Sequence, residues 1–162
     1  MAGDPHALHR PAQVVTLAGS EFLARPLTLG GRHKVNEALK RAWPHPVVQA
    51  QTLIREAGIE DEATRQKVMD RALALWDGSG WPVTLDSPLG RLRAMASVDV
   101  LAVVIQHALI TDQPDITEDD AIALGDRASV DEIYDIFAVA FGIERKIFRE
   151  ALGKLTAATA TA

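Results

Sequence analysis

The 162-residue chain is 48% apolar and 24% charged, the size and composition of one folded domain with a single core, which excludes an intrinsically disordered protein. It has no cysteine, which excludes disulfides, thiolate zinc sites and cysteine nucleophiles and suits a reducing compartment. A net charge of −5 argues against a nucleic-acid binder driven by phosphate neutralisation, because such proteins concentrate Lys and Arg on one face.

Residues 1–13 hold His6, His9, Arg10 and two prolines but no apolar h-region, so they read as a flexible leader and not as a secretory signal. Val14 to Leu17 and Phe22 to Leu27 flank Ala18-Gly19-Ser20-Glu21, a glycine-containing four-residue connection of the kind that closes a β-hairpin. Pro26 lacks an N–H and suits a strand end or edge. From Thr28 the apolar period becomes helical. Val35, Leu39 and Ala42 mark a helix over about 29–43, which Trp43-Pro44-His45-Pro46 ends. Pro46 then opens a second helix with Val47, Ala50, Ile54 and Ala57 on one side and Gly58 as its cap. A third is predicted from Asp61 to Trp76, with Met69, Ala72, Leu73 and Trp76 on one face and Arg65, Lys67 and Arg71 on the polar face.

Asp77 to Pro82 has the composition of a loop, anchored by Trp81. Ser87-Pro88 supplies an N-cap and an N1 proline for a helix predicted to run to about Ile110. Its second half, Val98 to Ile110, is the most apolar run in the chain. It falls well short of the roughly 20 residues a membrane span requires, and its polar Asp99, Gln106 and His107 form a narrow stripe, so it reads as a central helix packed on several sides. Thr117 caps the next helix, with Glu118, Asp119 and Asp120 in its first turn. Ser129-Val130-Asp131-Glu132 is a capping box, and the helix it opens presents Val130, Ile133, Tyr134, Phe137 and Phe141 before Gly142 stops it. A last helix over about 144–155 carries Ile147, Phe148, Ala151, Leu152 and Leu155, and residues 156–162 read as a disordered Ala/Thr tail. The fold class is therefore mainly α: a small N-terminal β-hairpin followed by a bundle of about six to seven short helices, in one domain spanning 14–155.

The residues offer little catalytic chemistry. Gly30-Gly31-Arg32 lacks the remaining glycines and the Lys-Ser or Lys-Thr end of a phosphate loop. His6 and His9 alone among the five histidines are close in sequence, so no metal site is predicted. His107 and Asp99 lie about two helical turns apart, roughly 10–12 Å, too far to touch, and a core-edge histidine satisfied by a carbonyl or water is the expected state. Asp112 to Asp120 lacks the glycine and glutamate of a calcium loop. The window Asp112 to Asp135 holds nine acidic residues against Arg127, a charge of −8 in a chain of −5. Its helix pair has the outline of a helix-turn-helix, but the second helix opens with Asp131-Glu132 and carries no Lys or Arg, so phosphates would be repelled. The acidic cluster suits helix capping, solubility and a basic protein partner; the amphipathic faces leave room for helix-in-groove binding or a homo-oligomer.

Two patterns in the chain resemble the tail assembly chaperones of long-tailed bacteriophages and related prophage or gene-transfer particles. One is the hairpin Val15-Thr16-Leu17-Ala18-Gly19 to Phe22-Leu23-Ala24-Arg25-Pro26-Leu27-Thr28 leading straight into helices. The other is the linker Asp112-Gln113-Pro114-Asp115-Ile116-Thr117-Glu118-Asp119-Asp120, followed by Ser129 to Gly142 with its aromatic-Gly end. The resemblance spans about residues 14–143, and Trp76 to Pro88 departs from it. It implies a non-enzymatic protein of the bacterial cytoplasm, without cofactor, metal, nucleic acid or membrane. Such a protein binds the long helical tape measure protein, keeps it soluble, helps recruit major tail tube subunits and leaves before the virion is complete. Some members also make a frameshifted longer form, with which Gly153-Lys154 and the Ala/Thr tail are compatible. Partner contacts are expected at surface positions of the late helices: Asp119, Asp120, Asp131, Tyr134, Phe137, Phe141 and Phe148. The competing readings are a structural head-tail connector and a helix-turn-helix regulator.

Overall fold

The computed structural model describes residues 11–78 and 84–160. Strands β1 (Gln13–Leu17) and β2 (Ser20–Ala24) pair antiparallel, with Gln13 opposite Ala24 and Leu17 opposite Ser20. The connection is shorter than the predicted four residues. Ala18 (φ 51°) and Gly19 (φ 77°) alone make the turn, and positive φ at both positions is the type I′ geometry whose twist matches two paired strands. Val15, Leu17 and Ala24 are buried on one face, while the facing pair Val14 and Leu23 is exposed on the other.

Eight helices follow among the described residues: α1 (Leu29–Ala42), α2 (Pro46–Glu56), α3 (Glu62–Gly78), α4 (Pro88–Ala96), α5 (Val98–Leu109), α6 (Glu118–Arg127), α7 (Val130–Phe141) and α8 (Arg145–Ala160). The fold is mainly α with an N-terminal hairpin. The additional helix arises because the stretch predicted as one helix from Ser87 to Ile110 is two, bent by 100°. Ser97, in extended conformation, closes α4, and its side chain accepts the N–H of Val100 to open α5. A straight helix of that length would span about 34 Å, more than a small domain's diameter, so its ends would leave the core. Three further differences are local. Helix α3 continues through Asp77 and Gly78; the rest of the predicted loop, with Trp81, lies outside the described residues. Helix α8 runs to Ala160, past the predicted end at Leu155. Residues 1–10 of the predicted leader also lie outside the described residues.

Helix α5 is the centre. Eight of its twelve residues are buried, among them Val100, Val104, Ile105 and Leu109 at full burial. It is packed by α1, α4, α6, α7 and β2, the arrangement expected when a helix is apolar all round. No single described helix is long and apolar enough to cross a membrane; the α4–α5 pair passes such a test by composition only, and α5 is consumed by the core. Two small residues set the close approaches: Gly31 of α1 lies against the His107 side chain, and Gly125 of α6 against Leu101 and Ile105.

The segment after β2 ties the hairpin to this core. The N–H of Arg25 donates to the Ala108 carbonyl and that of Leu27 to the Ala140 carbonyl, each at 2.8 Å. These carbonyls are among the last of α5 and α7, which have no partner within their own helices. Helices α2 and α3 pack chiefly on one another through Ala50 and Ala72, leaving Val48, Leu53 and Leu73 exposed on this two-helix arm.

The predicted face of α7 needs correction. Val130 is 64% exposed, whereas every residue from Ile136 to Phe141 is buried. A one-sided stripe assumes one packing partner, but α7 is packed by the hairpin, α5 and α8.

Two glycines in helices give opposite expectations. A Cβ at Gly90 of α4 would overlap the Thr84 carbonyl, so Gly90→Ala should destabilise by about 1–3 kcal/mol despite better helix propensity. At Gly153 of α8 an added Cβ meets nothing, so Gly153→Ala should stabilise by up to about 1 kcal/mol. Urea unfolding of both variants checks the pair.

Candidate functional site

The acidic linker after α5 is a built structure. The N–H groups of Asp112 and Gln113 both donate to the Leu109 carbonyl (3.1 and 2.9 Å), turning the chain back, and Gln106 Nε2 donates to the Ile116 carbonyl at 3.2 Å. At the turn, Asp112 accepts two hydrogen bonds from the Arg25 guanidinium, Nε to Oδ2 at 2.7 Å and Nη2 to Oδ1 at 3.0 Å. This planar two-point pairing fixes the linker to the hairpin across 87 residues of sequence. Thr117 and Asp120 then form a reciprocal capping box for α6, and Ser129 and Glu132 form another for α7. Glu132 does more than cap: its Oε1 also accepts the N–H of Gly19, at the hairpin turn, at 3.3 Å.

These contacts sort the nine acidic groups of residues 112–135. Asp112 is engaged by Arg25, Asp120 and Glu132 by capping, and Asp131 and Asp135 by Arg145 and Arg149 of α8 at 3.2–3.4 Å. Asp115, Glu118, Asp119 and Asp126 are exposed and have no such partner among the described residues. The unused negative charge is thus concentrated on the linker and α6.

An open groove of about 570 Å³ lies beside that charge. Phe22 of the hairpin, Pro114 and Ile116 of the linker, and Leu124 of α6 give it an apolar lining. Asp115 and Asp120 contribute carboxylates, and Arg127, whose Nε donates to the Ala123 carbonyl, contributes a cation. The groove can accept an aliphatic side chain flanked by positive charge.

The residues expected to meet a partner divide. Asp119 is exposed but does not line the groove, whereas Asp120 lines it while serving the capping box. Asp131 is exposed but faces Arg149. Phe137, Phe141 and Phe148 are in the core at 0%, 8% and 3% exposure, correcting their placement as surface positions. Their rings pack on each other, Phe137 edge-on to Phe141 at 5.3 Å and Phe141 near Phe148 at 6.1 Å, because α8 lies over α7. Tyr134 is half-buried, edge-on to Phe148 at 6.5 Å. The sequence reading missed Phe22, Arg25 and Arg127. Phe22 and Arg25 lie far along the chain from the linker, and no local pattern signals that pairing.

No group of three or more His, Asp and Glu residues that could hold a metal occurs among the described residues. His107 is half-buried where α5 meets α1. Burial, and secondarily the charge of Lys34, holds its imidazole below the ordinary value, so it is neutral at pH 7. Asp99 is exposed on the first turn of α5.

Three carboxyls of residues 112–135 are held below their ordinary values: Asp112 chiefly by its hydrogen bonds from Arg25, Asp120 by the Thr117 hydroxyl and N–H, and Glu132 by the N–H groups of Ser129 and Gly19. A depressed folded-state value means stability that is present above the unfolded carboxyl range, near pH 4, and lost as pH falls through the folded value. Asp112→Asn should therefore lower the melting temperature at pH 7, and its gap from wild type should close as pH falls through the folded-state value of Asp112. In an Arg25→Ala background the same substitution should cost much less, which a double-mutant cycle reads directly.

No family model, curated protein or solved structure matches this chain.

Proposed function

We propose that this chain is a phage tail assembly chaperone: a binding protein, without a catalytic step, that covers apolar helices of a tape measure protein and hands them to tail tube subunits in the cytoplasm of the bacterial host. The observation that carries this reading is spatial. The two segments on which the family resemblance rests, the hairpin and the 112–120 linker, are far apart in sequence yet meet at the Arg25–Asp112 pair and together line the groove with Phe22, Pro114 and Ile116. A partner helix carrying apolar residues beside Lys or Arg would find both an apolar surface and unused carboxylates there. The exposed Val48, Leu53 and Leu73 of the α2–α3 arm are further apolar positions that an extended client would cover.

The regulator reading is weakened by α7. A recognition helix must lie in the major groove, and the second half of α7 is enclosed by the hairpin, α5 and α8. The connector reading differs in where the protein ends up, because a connector stays in the particle.

Co-expression with the product of a neighbouring long, helical reading frame tests the proposal. The expected result is a marked rise in soluble tape measure protein and its co-purification with this chain, reduced several-fold by Asp115→Lys. Unchanged solubility and no co-purification would end the chaperone reading. Abundant, stoichiometric protein in purified virions by mass spectrometry would favour the connector.

A further inference from the structure

The outer edges of the two hairpin strands are not equally covered. In the register that sets Leu17 opposite Ser20, Val15 opposite Phe22 and Gln13 opposite Ala24 across a two-residue turn, those three pairs exchange the ladder hydrogen bonds. The main-chain groups of Val14 and Thr16 on β1, and of Glu21 and Leu23 on β2, therefore point away from the ladder. Two contacts report that direction. The Val14 carbonyl accepts from Arg145 Nη2 at 3.0 Å, which occupies that end of the β1 edge. The N–H of Arg25, next in the outward series after Leu23, donates to the Ala108 carbonyl at 2.8 Å. The outward N–H and carbonyl groups of Glu21 and Leu23 have no hydrogen-bond partner among the described residues, and both residues are exposed.

An open edge of this kind is a template for another extended chain. It borders the groove of about 570 Å³, since Phe22, between Glu21 and Leu23, is part of the groove's lining. We infer that an extended segment of a partner, with aliphatic and basic residues in alternation, adds to the edge of β2 as a third strand. Side chains alternate along a strand, so those on one face enter the groove against Phe22 and Ile116, and those on the other stand beside Glu21 and Leu23. Charge selects the basic residues, because Glu21 on the strand and Asp115 and Asp120 in the groove outnumber Arg127. A helix cannot use the edge, since its own N–H and carbonyl groups are bonded internally. The inference rests on the groove being the client site of the proposed function, and it assigns to the β2 side of that site an extended stretch where the client chain leaves a helix.

The test is an NMR titration of the full chain with a peptide of about eight residues alternating lysine and valine, an ordinary strand length. The expected result is saturable shifts centred on β2 and the linker, with slower amide exchange at Glu21 and Leu23. The same peptide N-methylated at every residue keeps its side chains, loses its donors and should not bind. Leu23→Pro removes an outward donor without touching the ladder, at an edge where proline is tolerated, and should weaken binding several-fold. Leu23→Thr keeps the donor and should bind as wild type does. If Leu23→Pro is misfolded, the two peptides on the wild-type chain decide. No saturable binding, equal binding of the N-methylated peptide, or shifts that leave Glu21 and Leu23 unprotected would overturn the proposal. So would protection of both amides without peptide that rises with protein concentration, which assigns the edge to a second copy. Co-expression separates this inference from the chaperone reading. If Leu23→Pro keeps the tape measure protein as soluble as wild type does, strand addition falls and the chaperone reading stands; if the peptide pairs with β2 but co-expression fails, the reverse holds.

Discussion

Helix α5 is apolar on nearly every side, and the other elements are arranged to cover it. Burying a Val, Leu or Ile side chain contributes about 1.5–3 kcal/mol, and α5 places Val100, Leu101, Val103, Val104, Ile105 and Leu109 out of water. That burial requires contact from several directions, which α1, α4, α6, α7 and β2 supply. The 100° break at Ser97 follows from the same need, since it lets α4 turn back over the core instead of extending into water.

A core enclosed this way leaves helix ends to be satisfied, and the polar contacts concentrate there. The 25–27 segment donates two N–H groups to the last turns of α5 and α7. Arg25 also brings its positive charge to the C-terminal end of α5, where the helix dipole favours it, and then grips Asp112 in the linker. Glu132 joins the start of α7 to the hairpin turn. With the Thr117–Asp120 capping box and the pairs that Asp131 and Asp135 make with Arg145 and Arg149, these ties engage five of the nine acidic groups in residues 112–135. What remains for a partner is therefore narrower than the acidic island of the sequence: the linker, the first turn of α6 and the groove beside them.

Much of this was legible in the sequence because its causes are local. Thr117, Ser129, Ser87-Pro88, Gly142 and the buried character of Val98 to Ile110 each signal structure within a few residues. Ala18-Gly19 marked the turn, although not its two-residue length. The remainder depends on contacts between distant segments. Whether Phe137, Phe141 and Phe148 face water or the core depends on α8 lying over α7, and helical periodicity alone does not report it. The Arg25–Asp112 pair spans 87 residues, and a single sequence has no pattern for such a contact. The break at Ser97 was hidden because the apolar periodicity continues through it.

The enclosure of α5 also implies that stability is uneven. The α2–α3 arm buries Ala50 and Ala72 and little else among the described residues, so its backbone should open at low cost, whereas α5 and the second half of α7 should open only with global unfolding. Amide hydrogen exchange along the chain tests this most directly. The account predicts the slowest exchange at Val100 to Leu109 and Ile136 to Phe141, with the α2–α3 arm exchanging far earlier. Protection of the arm equal to that of α5, or early exchange within α5, would contradict a fold organised around the burial of that helix.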